Sequence, residues 1–199
     1  MVTQGALNLM VPDGPFPSEW FMRFGCVYAD PNWSIKMWGP HGYNKAPQDH
    51  YACDDTDTIA ALPVESICAR DCWLVMWATF PMLPDALRVL GAWGFTYVTG
   101  GSWAKESKTG AAINMGSGYV RRSASELYLI GKRGDPPLKP GARSIRNLIW
   151  APIREHSRKP DQMYDEIEAS FEGPYVELFA VDQIKAPRPG WDAWGRPHR

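Results

Sequence analysis

The stretch that most restricts how this chain can fold is Trp73-Leu74-Val75-Met76-Trp77-Ala78-Thr79, which carries no charge and no polar side chain before its last residue. A strand with one wet face alternates apolar and polar residues. A short run that does not alternate reads as a strand buried on both faces, the pattern of a parallel sheet covered by helices. The rest of the chain supplies matching elements. Cys26 to Ala29 reads as a second short buried strand that ends at Asp30. Thr58 to Ala69 reads as a weak helix interrupted by Pro63. Met82 to Trp93 reads as an amphipathic helix with Leu83, Ala86, Leu87 and Leu90 on one face, closed by Gly94. Phe95 to Ala104, Glu126 to Gly131 and Leu148 to Ala151 read as strands. Pro160 opens a helix through Phe171 with Met163 and Ile167 on its apolar side, and Tyr175 to Ala180 is the last strand. Residues 34–57 and 105–119 are Gly-punctuated loops. The expected fold is α/β, a mostly parallel sheet with helices on both faces, and ligands in such sheets lie at the C-terminal strand ends. Two strand ends therefore matter: Ala29/Asp30 and Phe179/Ala180.

The 199 residues suit a single domain spanning 1–199. The most apolar stretch, Cys72 to Leu83, is too short for a bilayer and is broken by Pro81, so no membrane association is expected and the protein is placed in the cytoplasm. Cys26, Cys53, Cys68 and Cys72 lack the spacing of a zinc site and read as buried thiols of a reducing compartment, and no metal is expected. A net charge of −1 excludes a general nucleic-acid coat protein. Any nucleic-acid contact must come from local patches: Arg121-Arg122, Lys132-Arg133 and Arg154 through Lys159. A solvated loop is the competing reading for each. Ten tryptophans are unusually many; some belong to the core, but aromatic planes are also what a flipped base stacks on.

Three strips carry chemistry. Asp30-Pro31-Asn32-Trp33 places a carboxylate, a proline carbonyl and an aromatic ring at one strand end. Two acceptors can hold the protons of an exocyclic amine, favour its pyramidal nucleophilic form and aim it at a methyl sulfonium. Asp-Pro is also an ordinary turn opening. Arg154 through Asp161 precedes a helix N-terminus, where Lys159 could hold a carboxylate; a plain helix entry capped by Ser157 or Asp161 is the alternative. Glu177-Leu178-Phe179-Ala180 puts a carboxylate where ribose hydroxyls are bound in dinucleotide sites, or else forms a surface ion pair.

Taken in order, these strips resemble the N6-adenine methyltransferases with a DPPW catalytic motif, a family that includes the catalytic subunit of the eukaryotic messenger-RNA adenosine methyltransferase and many short bacterial and phage members. The resemblance rests on Tyr28 to Trp33, Trp77-Ala78-Thr79, Gly94 to Tyr97 leading to Trp103, Gly116 to Glu126, Arg154 to Asp161, Glu177 to Phe179 and Pro189 to Gly195, and covers about residues 26–196. It implies a permuted Rossmann-like methyltransferase fold and S-adenosylmethionine as cofactor. It also implies methylation of adenine N6, with DNA favoured over RNA and a catalytically degenerate nucleic-acid-binding relative as a further alternative. A partner subunit or homodimer is compatible with it. By resemblance, Asp30, Pro31, Asn32 and Trp33 are catalytic. Asp30, Ser157, Lys159, Glu177, Leu178 and Phe179 border the cofactor. Trp33, Tyr43, Arg121, Arg122, Arg154 and His156 contact substrate. The chain departs from the family in having Asn32 for the second proline, which is expected to loosen the strip but keep both acceptors, and in having Val181 for an arginine and Arg196-Pro197 for a polar pair, which are expected to weaken the cofactor grip.

Overall fold

The computed structural model describes residues 14–34, 54–110, 112–116, 118, 120–154, 158–180 and 187–195. Their elements are β1 (Phe24–Ala29), α1 (Thr56–Ala60), α2 (Val64–Ile67), β2 (Cys68–Ala78), α3 (Leu83–Ala92), β3 (Thr96–Glu106), β4 (Ser125–Arg133), β5 (Leu148–Pro152), α4 (Gln162–Ser170), β6 (Tyr175–Leu178) and β7 (Trp191–Trp194). They form one seven-stranded sheet in the order β5-β3-β4-β2-β1-β6-β7. The pairs β1/β2, β1/β6, β3/β5 and β6/β7 are parallel, and β4 alone runs against its neighbours β2 and β3.

The unalternating run lies at the centre, as its sequence demands. Leu74, Met76 and Ala78 face a core shared with α1, α2 and α3, whereas Trp73, Val75 and Trp77 face a second core shared with α4. Every side chain of that run up to Ala78 is buried. The mixed α/β sheet with helices on both faces is the expected class, consistent with a Rossmann-like methyltransferase fold.

Four local expectations are corrected. The helix expected through Ala69 stops at Ile67, and β2 begins at Cys68, because Phe24 of β1 pairs with Cys68 and so draws that residue into the sheet. On α3 the buried stripe is Ala86, Val89 and Leu90, while Leu87 is 39% exposed. That rotation fits Arg88 reaching Asp57 of α1 at 2.6 Å and Trp93 donating to the Ile59 carbonyl. The α4 helix opens at Gln162 rather than Pro160, and Asp161 makes no side-chain cap there, its carboxylate being taken by Arg154. Finally, β6 is not the last strand. Trp191 is buried among Tyr28, Tyr164 and Tyr175 and extends the sheet as β7. Cys26, Cys68 and Cys72 are free and buried as expected, while Cys53 lies outside the described residues. No helix among the described residues is long and apolar enough to cross a membrane.

Chain connectivity reverses between β1 and β6. From β1 the chain proceeds to β2 through α1 and α2 on one face, whereas β6 is reached through α4 on the other. Such a switch point leaves a crevice outside the C-terminal strand ends, where α/β sheets bind ligands. Asp30 follows β1 there and Phe179 follows β6.

Candidate active site

The strip after β1 is held from three sides. The Asp30 N–H donates to the Leu178 carbonyl of β6 at 3.4 Å, the Asn32 carbonyl accepts from the Asp54 N–H, and the Trp33 indole N–H donates to the Trp77 carbonyl of β2 at 3.2 Å. Trp33 is only 6% exposed and packs in the core. Its visible role is to pin the strip, and little of its ring is presented for stacking. The Pro31 carbonyl is not free, as the sequence suggested; it accepts from the Trp33 N–H at 2.8 Å, leaving one lone pair. Asn32 contributes its carbonyl, and among the described residues its N–H donates to no backbone acceptor. Asn32→Pro should therefore fold and retain turnover, with stability within about 1 kcal/mol of the parent. Thermal melting and a transfer assay check this, and lost turnover in a folded variant would give the Asn32 N–H or side chain its own role.

Around Asp30 the tertiary structure assembles a chain of alternating charges. Asp30 Oδ2 lies 2.7 Å from Lys159 Nζ, which lies 3.2 Å from Glu126 Oε1, and Glu126 Oε2 lies 2.7 Å from Lys105 Nζ. The four side chains are 28%, 10%, 12% and 23% exposed in that order. The ammonium of Lys159 also lies over the Trp77 ring, and that of Lys105 over Trp103. Strand register explains the convergence. Tyr28, Trp77, Tyr128 and Trp103 all face the α4 side, so two residues further along their strands, or two before on reversed β4, Asp30, Glu126 and Lys105 share that face.

The environment sets the protonation of each group. Burial pushes the Asp30 carboxyl up; Lys159 offsets part of this, and the Glu126 charge adds to it. Burial acts on Glu126 too, but there the ammonium groups of Lys159 and Lys105 prevail and hold it below its ordinary value. Burial opposes the Lys159 charge, yet Asp30 and Glu126 outweigh it and hold the ammonium protonated. The outcome is a carboxylate with an elevated proton affinity, anchored through one oxygen. Among the described residues Asp30 Oδ1 has no partner.

The residues expected at the cofactor divide clearly. Lys159 uses two of its three N–H donors on Asp30 and Glu126, which leaves one for a ligand carboxylate. Glu177 lies opposite Tyr28 in the β1/β6 register and accepts from the Tyr164 hydroxyl at 2.9 Å. Leu178 is fully buried, which withdraws its side chain from a ligand, and its carbonyl accepts from the Asp30 N–H. Phe179 adopts a left-handed φ of 64°, which a non-glycine residue tolerates only when held. Its ring is locked between Trp93 and Trp194. The bend is further closed by Gly195, where a Cβ would meet the Ala180 carbonyl at 2.0 Å. An ammonium, a carboxylate and a sharply turned backbone around one crevice suit a ligand bearing both an amino-acid end and a ribose. Ser157 lies outside the described residues.

The substrate assignments fare differently. Arg154 makes a bidentate pair with Asp161 and donates to the Lys159 carbonyl, so it straps the segment that presents Lys159. Arg121 and Arg122 are exposed in the β3–β4 connection, at the sheet end where Lys105 and Glu126 lie. Of the other basic patch, Lys132 pairs with Asp135 and Arg133 with Glu65. Tyr43 and His156 lie outside the described residues, as do Val181 and Arg196-Pro197. Sequence reasoning missed Lys105 and Glu126 as site residues. The sequence signals were their position where a predicted strand meets the Gly/Ser-rich connection and, for Glu126, its place at the end of the Gly116 to Glu126 strip of the resemblance.

The family model MT-A70 matches residues 24–197. The type II methyltransferase M.MunI of Mycoplasma sp is 30% identical over 200 residues, covering 92% of this chain and 81% of that protein. A putative N(6)-adenosine-methyltransferase MT-A70-like protein of Medicago truncatula is 30% identical, covering 87% of this chain and 26% of its own length. The N(6)-adenosine-methyltransferase catalytic subunit of Homo sapiens is 28% identical, covering 84% of this chain and 29% of its own length. The chain thus spans most of the Mycoplasma relative but little over a quarter of the plant and human ones. With the family match running from the first strand to beyond the last, the chain belongs to the MT-A70 family of S-adenosylmethionine-dependent N6-adenine methyltransferases.

Proposed function

We propose that this chain methylates the N6 amino group of adenine in DNA, with Asp30 as the residue that receives the amine. The observation that carries the reading is the Asp30 carboxylate at the β1/β6 switch point, with Oδ2 fixed by Lys159 and, among the described residues, no partner for Oδ1. Oδ1 and the remaining lone pair of the Pro31 carbonyl are suited to accept the two amine protons. That would turn the nitrogen lone pair out of conjugation and along the direction of attack. The cofactor supplies an electrophilic methyl group on sulfonium sulfur. Transfer of that methyl would release the neutral thioether and leave the amine nitrogen cationic. Asp30 is placed to take the surplus proton, and its burial-raised proton affinity favours this. Lys159 contributes its third N–H to the cofactor carboxylate, and Glu177 is the candidate for the ribose.

DNA is favoured because the type II methyltransferase matches along most of both chains. An adenosine substrate in RNA is the second reading, favoured by the N(6)-adenosine-methyltransferase relatives at similar identity. Arg121 and Arg122, exposed beside the site, are the candidate nucleic-acid contacts; a partner subunit or a homodimer would supply further basic surface. Incubation with methyl-labelled S-adenosylmethionine and separate DNA and RNA pools, followed by nucleoside analysis, should give N6-methyldeoxyadenosine in the DNA pool. Label appearing only in RNA adenosine would replace DNA by RNA, and label on any other nucleoside would overturn the reading.

A further inference from the structure

Among the described residues only two buried side-chain polar atoms lack a hydrogen bond, Thr79 Oγ1 and Arg133 Nη1. The arginine atom lies 2.7 Å from a Glu65 oxygen, so its charge is answered. The threonine hydroxyl is answered by none of the described residues. A buried hydroxyl without a partner is unfavourable, and valine, which has the same shape, would remove the cost. Such an atom at a strand end beside charged groups calls for a ligand that completes it.

Its place fits that role. Thr79 follows β2 in extended conformation, so it shares the face of Trp77, over which the Lys159 ammonium lies. The β1/β2 register pairs Ala29 with Met76, which sets Asp30 beside Trp77. The β2/β4 register pairs Ala78 with Leu127, which sets Thr79 opposite Glu126. Thr79 therefore lies on the same face as Asp30, Glu126 and Lys159, directly across from Glu126 and, relative to Asp30, two residues along and one strand across, a backbone separation of roughly 8 Å. Side chains reaching toward each other from that separation can meet neighbouring groups on one nucleobase edge.

We infer that the Thr79 hydroxyl is a base-binding group that donates to a ring nitrogen flanking the amine held by Asp30. The inference rests on the adenine reading above. An exocyclic amine on a purine has acceptor nitrogens, N1 and N7, on either side of it. A carboxylate and a hydroxyl on one face of the sheet complement an amine donor and its neighbouring acceptor, and a keto group at the amine position would be refused by the carboxylate.

The test combines Thr79→Val and Thr79→Ser with DNA oligonucleotides carrying adenine, 1-deazaadenine or 7-deazaadenine at the target. Thr79→Val should melt roughly 2–8 °C higher than the parent while its KM for adenine DNA rises roughly tenfold, with cofactor affinity unchanged. Thr79→Ser should restore the KM. The parent should lose roughly tenfold on one of the two deaza substrates, and Thr79→Val should lose nothing further on that substrate, because the contact is already gone. An unchanged KM in Thr79→Val, or equal deaza losses in parent and variant, overturns the base contact. The adenine reading fails separately, when the parent itself transfers no methyl to any adenine, and the Thr79 role then falls with it.

Discussion

Asp30→Asn should reduce the single-turnover methyl-transfer rate about 10²–10⁴-fold while leaving the protein folded. Positioning and electrostatic support of a weak nucleophile are together worth about 3–5 kcal/mol, and each ~1.4 kcal/mol is tenfold. Asparagine keeps the volume and one acceptor oxygen, which can still meet Lys159, so the strip should remain anchored through Leu178 and Trp77. It brings an NH2 toward a substrate that is itself a donor and removes the base that takes the proton. Asp30→Ala should be as inactive. Cofactor affinity should fall only modestly in both. Rapid-quench transfer from labelled cofactor to DNA measures the effect, and a parental rate in either variant would remove Asp30 from the chemistry.

Lys159→Met should give the largest loss of stability in the site. The ammonium is one-tenth exposed and stands between two carboxylates. Removing it leaves Asp30 and Glu126 facing each other, with only Lys105 left to answer Glu126. Removing one partner of a buried ion pair costs about 3–5 kcal/mol, which for a chain of this size is roughly 6–20 °C in melting temperature. Cofactor affinity should also fall roughly tenfold to a hundredfold, the worth of one charge-assisted hydrogen bond. A pH profile separates the two roles. Asp30 acts ionised, its proton affinity is already raised by burial, and Lys159 counteracts that rise. Without the ammonium the carboxyl rises further, so the acidic limb of the transfer rate should move to higher pH. Lys159→Arg, which keeps the charge, should recover most of the stability. A Lys159→Met protein with parental melting temperature would mean that the charge chain does not operate in solution, and parental cofactor affinity in a folded variant would remove Lys159 from the cofactor.

Both variants act on a site whose parts were unequally visible in the sequence. The central strand was legible because burial on both faces leaves no polar alternation, a property of seven consecutive residues. The Asp30-to-Trp33 strip was legible for the same reason: its chemistry and its position after a buried strand are both local. The α3 helix was recognisable by its period, yet its buried stripe was misassigned, because the phase depends on Trp93 and Arg88 meeting residues of the α1 segment. Likewise the start of β2 depended on the pairing of Phe24 with Cys68, more than forty positions away, which outweighed a weak local helical tendency.

What the sequence determined by itself is the fold class, the strand that delivers Asp30 and the family to which the chain belongs, since periodicity, turn residues and motif order are written along the chain. What only the tertiary structure decided is the electrostatic identity of the site. Lys159 meets Asp30 across 129 positions, Glu126 and Lys105 join them from neighbouring strands, and Thr79 is left with an unanswered hydroxyl on the same face. These encounters depend on strand register. A shift of β2, β3 or β4 by one residue would turn that strand's own contribution, Thr79, Lys105 or Glu126, to the opposite face, and register is fixed by packing over the whole sheet rather than by any local run of residues.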